Sequence, residues 1–179
     1  DSFTADWGPG PAIEKAFEAE CNCDLVWVAL DSSVGILTRL KLEGSAAKAD
    51  IALGLDHFWS TEAARTGLFA PHGQDAAKLD VPGGWADDVF LPFDYGFFAF
   101  VYNKEKLPKP PESLKALVES ASGPSIVIQD PRSSTPGMGL LIWMKSVFAD
   151  GAEAAWKSLT PRIVSATKDW SEAYGLFLE

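Results

Sequence analysis

Ser125-Ile-Val-Ile-Gln-Asp-Pro-Arg-Ser-Ser-Thr-Pro-Gly-Met-Gly139 is the stretch of sequence that decides the fold. Its β-branched start is typical of a buried strand, and a turn rich in Pro, Ser and Thr follows. Because Pro favours the first position of a helix, we expect a helix over 136–149 with Thr135 as its N-cap. That helix is apolar on almost every side, so we expect it to be buried. The stretch therefore predicts a strand–loop–helix unit.

The same alternation continues along the rest of the chain. Most of the strand-like runs are continuously apolar, which is typical of a parallel sheet covered on both faces. We expect further strands at 25–30, 50–53, 97–102 and 162–164. We expect further helices at 11–20, 34–42, 62–67, 114–119, 152–159 and 171–178. This order predicts an open α/β fold.

One region interrupts the alternation. Residues 80–94 are rich in turn-forming and aromatic residues, and Pro92 would break a central strand. We therefore predict a crossover near 90–96, between a first lobe at 1–92 and a second lobe at 93–179.

Composition excludes several classes of function. Hydrophobic residues make up 47% of the 179, which is enough to build a packed core. The net charge of −10 would repel nucleic acid and anionic membranes. The presence of only two His and two Cys argues against a transition-metal site, and no apolar run is long enough to span a bilayer. The spacing of Cys21 and Cys23 leaves open whether they are joined.

The loop at 130–137 has two interpretations. Ser133, Ser134 and Thr135 precede a helix start, whose amides and dipole attract an anion, and Gly137 and Gly139 would allow close approach to the backbone. Loops beyond strand ends are also where open α/β sheets bind ligands. The alternative is an ordinary capped helix.

Further candidates for a binding site lie in other turns. Trp7 and Trp170 sit in turns flanked by Asp, Gly or Ser, where an indole face can meet a flat or cationic ligand. Asp31-Ser-Ser33 follows a predicted strand and precedes a helix, and a simple helix cap is the alternative there.

Motifs for catalysis are missing from the sequence. It contains neither Gly-Lys-Ser/Thr, nor Gly-x-Gly-x-x-Gly after a strand, nor Gly-x-Ser-x-Gly. We therefore predict a binding protein rather than an enzyme.

Five blocks together resemble the bacterial periplasmic thiamine-binding proteins, the soluble receptors of thiamine ABC importers. They are Asp6-Trp-Gly-Pro-Gly-Pro11, Val81-Pro-Gly-Gly-Trp85, Phe93-Asp-Tyr-Gly-Phe-Phe-Ala-Phe-Val-Tyr102, Gln129-Asp-Pro-Arg-Ser-Ser-Thr-Pro-Gly137 and Trp170-Ser-Glu-Ala-Tyr-Gly-Leu-Phe-Leu178. The resemblance covers the whole chain.

The resemblance implies a two-lobed, type II-like periplasmic binding protein fold. It implies a periplasmic monomer that takes up thiamine, thiamine monophosphate or thiamine diphosphate, needs no cofactor or metal, and works with a membrane permease and an ATPase. It also implies a chain truncated at both ends, which lacks the family's first strand and its second half.

The resemblance further implies roles for individual residues. Ser134 and Thr135 would meet the phosphate or hydroxyethyl end, Trp170 would pack against the ligand rings, and Trp7 lies in a pocket loop. At Ser32-Ser33 the family pattern has Asp followed by Gly, so Asp31 takes over that contact or the contact is lost.

Two alternatives remain at this point. One is a ferric-ion or polyamine receptor on the same fold, although the three Tyr form no adjacent pair that would favour iron. The other is a thiamine-degrading transferase, whose chemistry uses a nucleophilic Cys.

Overall fold

A computed structural model describes residues 3–179. Its α-helices are α1 (Gly10–Cys21), α2 (Ser33–Glu43), α3 (Ser60–Arg65), α4 (Leu114–Glu119), α5 (Thr135–Phe148), α6 (Ala152–Leu159) and α7 (Trp170–Leu178). The strands are β1 (Ile126–Gln129) and β2 (Ile163–Thr167). Short 3₁₀ turns lie at Gly44–Ala46, Ala76–Lys78, Ala149–Gly151 and Thr160–Arg162.

The chain folds into two compact units, a first unit that ends at Asp31 and a second unit, Ser32–Glu179. The lobe boundary near residue 92 is a different division, and it stays a prediction.

Helix α1 organises the first unit. It ends at Asn22, which adopts a left-handed conformation with φ of 52°, and the disulfide between Cys21 and Cys23 spans that turn. Glu18 on the helix accepts a hydrogen bond from the Leu25 amide at 2.9 Å. This hydrogen bond holds the segment that follows α1 against the helix.

The core of the second unit lies among α4, β1, α5 and α6. Its buried side chains come from all four elements: Leu114, Leu117, Val118, Ile126, Leu140, Met144, Ala155 and Leu159. Strands β1 and β2 pair in parallel, joined through α5 and α6. A parallel pair needs such a crossover, which is why these elements alternate. Helix α7 contacts both strands.

Most helix predictions are confirmed, because their signals are local. Ser113 caps α4, the helix expected at 114–119, by accepting from the Ala116 amide at 3.0 Å. Gly44 follows α2 with a positive φ of 52°, and α6 has the predicted bounds.

Two expectations about packing are wrong. Helix α5 is buried on one side only, and Leu141, Ile142 and Val147 are each more than 40% exposed. The runs 25–30, 50–53 and 97–102 belong to no strand ladder within residues 3–179. A strand exists through hydrogen bonds to a neighbour, and apolar composition alone does not supply one.

Within the described part of the chain, none of the helices combines the length and apolarity needed to cross a bilayer.

Candidate functional site

The start of α5 is built by the loop after β1. The amides of Ser133 and Ser134 donate to the Asp130 carbonyl at 3.1 and 2.9 Å, and the Asp130 amide donates to the Thr167 carbonyl of β2 at 2.7 Å. These bonds fix the loop on the ends of both strands. Ser134, not Thr135, is the N-cap residue, with Pro136 within the first two helical positions. The predicted cap is therefore off by one residue.

Ser134 does not use its side chain as a cap. Its hydroxyl donates to the Gln129 side-chain oxygen at the end of β1, and the residue is 7% exposed. The first amides of a helix have no intrahelical acceptor, and Pro136 has no amide proton. The amide of Thr135, a half-buried residue at the first helical position, is therefore available to a ligand.

The two glycines near the start of α5 have a packing role. A Cβ on Gly137 would lie 2.4 Å from the Gln129 carbonyl oxygen, and one on Gly139 would lie 2.5 Å from the Phe98 ring. The sequence suggested that these glycines admit an anion. In the structure Gly137 packs against the backbone at the end of β1 and Gly139 packs against the Phe98 ring, and their part in admitting an anion stays a prediction.

Asp130 and Arg132 form an ion pair within the loop after β1. The Asp130 carboxylate accepts from the Arg132 backbone amide at 2.8 Å and from its guanidinium at 2.5–3.1 Å. The Arg132 guanidinium, followed by the Arg132 backbone amide, lowers the pKa of Asp130 to about 2. The Asp130 carboxylate therefore offsets the charge of Arg132, while the Arg132 side chain is 88% exposed and its guanidinium keeps further N–H donors.

Thr135 meets a residue from a distant part of the sequence. Its hydroxyl donates to the Asp56 carboxylate and lies 3.3 Å from the Ser33 hydroxyl. Ser33 in turn donates to the Gly54 carbonyl at 2.7 Å. The starts of α2 and α5 therefore approach each other closely enough for their first side chains to touch.

Ser32 caps α2, as the plainer interpretation of Asp31-Ser-Ser33 suggests. Its side chain accepts from the Gly35 amide at 3.1 Å. The capping role fixes the direction in which α2 leaves the loop, and this places Ser33 beside Thr135.

Trp170 begins α7, which Asp169 caps by accepting from the Glu172 amide at 2.9 Å. The indole stacks on the Tyr174 ring one turn later, with centroids 4.8 Å apart and planes 11° from parallel. Trp170 is still 52% exposed, so an indole face remains accessible. The Ser133 hydroxyl donates to the Lys168 carbonyl at 2.7 Å, which ties the α5 loop to the start of α7.

Two predicted site residues, Trp7 and Asp31, lie in the first unit. Trp7 is 77% exposed in a turn before α1, and Asp31 is exposed at the end of its unit. Their part in a common site stays a prediction.

Sequence reasoning missed Asp56 and Tyr174. Asp56 follows the apolar run 50–53 and Gly54, so a systematic search of the ends of strand-like runs would have found it. Tyr174 is four residues after Trp170, the spacing at which helical side chains are neighbours. No group of three or more potential metal ligands occurs among residues 3–179.

Comparisons with known proteins agree with this architecture. A sequence profile of the family described as bacterial extracellular solute-binding protein matches residues 8–179. The chain is 58% identical to the thiamine-binding periplasmic protein of Escherichia coli (strain K12), over 100% of this chain and 55% of that protein. It is 57% identical to the protein of the same name from Salmonella typhimurium (strain LT2), again over 100% of this chain and 55% of that protein.

A solved structure described as a periplasmic thiamin binding protein has a TM-score of 0.94 and 58% identity, covering 99% of this chain and 56% of that one. This match confirms the α/β periplasmic binding protein fold for the portion of that fold which this chain covers. The chain spans about half the length of the relatives it matches.

The matched profile describes solute-binding proteins, which confirms the expectation of a binding protein rather than an enzyme. The disulfide between Cys21 and Cys23 agrees with this, because a nucleophilic Cys must be a free thiolate.

Proposed function

The chain belongs to the bacterial extracellular solute-binding protein family, and we propose that it captures thiamine and its phosphate esters for an ABC importer. The relatives named above are periplasmic by name, and the proposed location is the periplasm. The proposed partners are the membrane permease and ATPase subunits of the importer, which the protein would serve as a monomer.

The observation that carries the proposal is the contact between Ser33 and Thr135 in a chain similar throughout to thiamine-binding proteins. The two hydroxyls stand at the first positions of two helices, where unused amides and helix dipoles favour a polar or anionic group. The hydroxyethyl or phosphate end of the ligand is proposed to lie there.

The other end of the ligand carries the rings. Thiamine has a permanently positive thiazolium ring, and a cation is attracted to an indole face. Trp170 has an accessible face at the start of α7, and the net charge of −10 favours a cation over the whole surface. The proposed contacts with the ligand are made by Trp7, Asp31, Ser32, Ser33, Ser134, Thr135 and Trp170.

Isothermal titration of thiamine into the protein, expressed from its own gene, tests the function. Saturable heat at micromolar protein is expected, and spermidine or ferric ion should not compete. Absence of heat with thiamine would contradict the proposal, and competition by spermidine would point to a polyamine receptor.

A double substitution, Ser134→Ala with Thr135→Ala, tests the placement of the phosphate. We expect it to weaken thiamine monophosphate more than thiamine, because hydrogen bonds to charged groups are worth about 1.5–3 kcal/mol. Ser133→Ala is the matched control in the same loop, because Ser133 is not among the proposed ligand contacts and its hydroxyl donates to the Lys168 carbonyl. Equal weakening of both ligands by the double variant would place the phosphate elsewhere.

A further inference from the structure

Both carboxylate oxygens of Asp56 accept hydrogen bonds. One oxygen accepts from the Phe58 amide at 3.0 Å, and the other accepts from the Thr135 hydroxyl. The side chain is half-buried beside the Ser33–Thr135 pair. A carboxylate is thus held in place next to the position proposed for the hydroxyethyl or phosphate end of the ligand.

The protons of the two hydroxyls can be assigned from their partners. A hydroxyl has one proton to donate and two lone pairs, whereas an ionised carboxylate and a backbone carbonyl only accept. Thr135 must therefore donate to Asp56, and Ser33 must donate to the Gly54 carbonyl at 2.7 Å. No proton is left for the 3.3 Å contact between the two hydroxyl oxygens. Both oxygens consequently offer lone pairs to anything that approaches them.

We propose that Asp56 is a specificity-determining residue, which holds the Ser33–Thr135 pair as a hydrogen-bond acceptor and thereby disfavours a phosphorylated ligand end relative to a hydroxyl end. The inference rests on the proposed function. A free hydroxyethyl group donates a proton and fits such an acceptor without rearrangement. A phosphate only accepts once it is fully ionised, so the Thr135 proton must turn away from Asp56 to meet it.

The negative charge of Asp56 disfavours a phosphorylated ligand end, as its hydrogen bonds do. The Asp56 carboxylate and a phosphate are both negative, and like charges at close range repel most strongly away from bulk water. The Thr135 amide at the start of α5 attracts the phosphate. In this arrangement Asp56 limits the preference for phosphate esters that two helix starts would otherwise create.

Asp56→Asn tests the inference. The amide of Asn donates to the Thr135 oxygen, which frees the Thr135 proton for the ligand, and the variant also removes the negative charge. We expect the ratio of the thiamine Kd to the thiamine monophosphate Kd to rise about tenfold or more, equivalent to about 1.4 kcal/mol. Titration calorimetry of the protein, expressed from its own gene, gives both constants.

Asp150→Asn is the matched control. It removes the same charge from a fully exposed side chain, which forms an ion pair with Lys145 at 3.7 Å, and exposed pairs of this kind are worth little. The Kd ratio should stay within about twofold of the wild-type ratio. A rise as large as that of Asp56→Asn would overturn the inference in favour of net charge.

Asp56→Ser provides a second variant, because its hydroxyl can still accept from the Phe58 amide while the charge is lost. An unchanged ratio in either folded variant, with the wild type binding thiamine, overturns the inference and leaves the proposed function standing. Failure of both variants to fold, judged by circular dichroism, overturns it as well, because Asp56 would then serve the fold. Absence of thiamine binding by the wild type contradicts the proposed function itself.

Discussion

The Asp130 carboxylate accepts hydrogen bonds from the backbone amide and the guanidinium of Arg132. Its pKa is lowered from 3.8 to about 2, first by the guanidinium and then by the amide. Because the folded pKa lies below the ordinary value, the pair stabilises the fold above pH 3.8, and this contribution is lost as the pH falls towards 2.

Arg132→Ala should raise the pKa of Asp130 towards 3.8, leaving the part of the shift that the backbone amide supplies. An NMR titration of the Asp130 carboxyl carbon measures it. Lys168→Ala is the control, because Lys168 pairs with Asp169 rather than Asp130. High salt should raise the wild-type pKa too, since the pair is solvent-exposed. An unmoved pKa in Arg132→Ala would show that the guanidinium does not set it.

Tyr174 positions the indole of Trp170. The parallel stack at 4.8 Å covers one side of the indole and restricts its rotation. Tyr174→Leu should weaken thiamine binding by about 0.5–1.5 kcal/mol, the range for an aromatic pair. It should also change the near-ultraviolet circular dichroism of the indole.

Tyr174→Phe keeps the ring and should preserve both the affinity and the spectrum. Loss of affinity in Tyr174→Phe equal to that in Tyr174→Leu would show that the Tyr hydroxyl, and not the stack, is what matters.

Local patterns in the sequence predict those site residues that lie at the boundary between a loop and a helix. Ser134, Thr135 and Trp170 are recognisable because each lies where a loop meets a helix. Asp56 is different, because its partner Thr135 is 79 residues away. Only the folded chain brings the carboxylate to the hydroxyl, so a local pattern can mark Asp56 at the end of an apolar run but cannot pair it with Thr135.

Helices and strands also differ in what determines them, since helices depend on nearby residues and strands depend on a distant partner. The caps at Ser113 and Asp169 and the stop at Gly44 depend on a few neighbouring residues, and the sequence predicts α4, α7 and α2 from them. Strands depend on a second segment. Of the apolar runs expected to be strands, those at 125–128 and 162–164 overlap the paired strands β1 and β2, while 25–30, 50–53 and 97–102 join no ladder in the described residues.

The packing of α5 on the end of β1 predicts a difference between two glycines. Gly137→Ala would place a Cβ 2.4 Å from the Gln129 carbonyl oxygen, and overpacking of this kind costs about 1–3 kcal/mol. Gly175→Ala in α7 meets nothing within 4 Å, and it should stabilise by about 0.5–1 kcal/mol through helix propensity. Urea unfolding of both variants measures the free energy of unfolding, which should fall in Gly137→Ala and rise in Gly175→Ala. A neutral Gly137→Ala would show that the loop yields to the methyl group.

For the whole molecule, we expect two lobes with a boundary near residue 92. The segment around Pro92 is neither helix nor strand, and the Trp85 indole donates to the Phe90 carbonyl at 2.6 Å just before it. A boundary in such a segment can absorb the backbone rotation of a closing hinge.

Closure predicts a change in size on binding. Small-angle scattering of the protein, expressed from its own gene, should give a smaller radius of gyration with saturating thiamine than without it, because a ligand that contacts both lobes favours the closed state. Trp170→Ala should bind thiamine poorly and keep the larger radius at the same thiamine concentration. Its radius without thiamine should equal that of the wild type, which separates closure from misfolding. Tight wild-type binding at constant radius would mean that the ligand enters a preformed site, and the boundary near residue 92 would then lose its proposed role as a hinge.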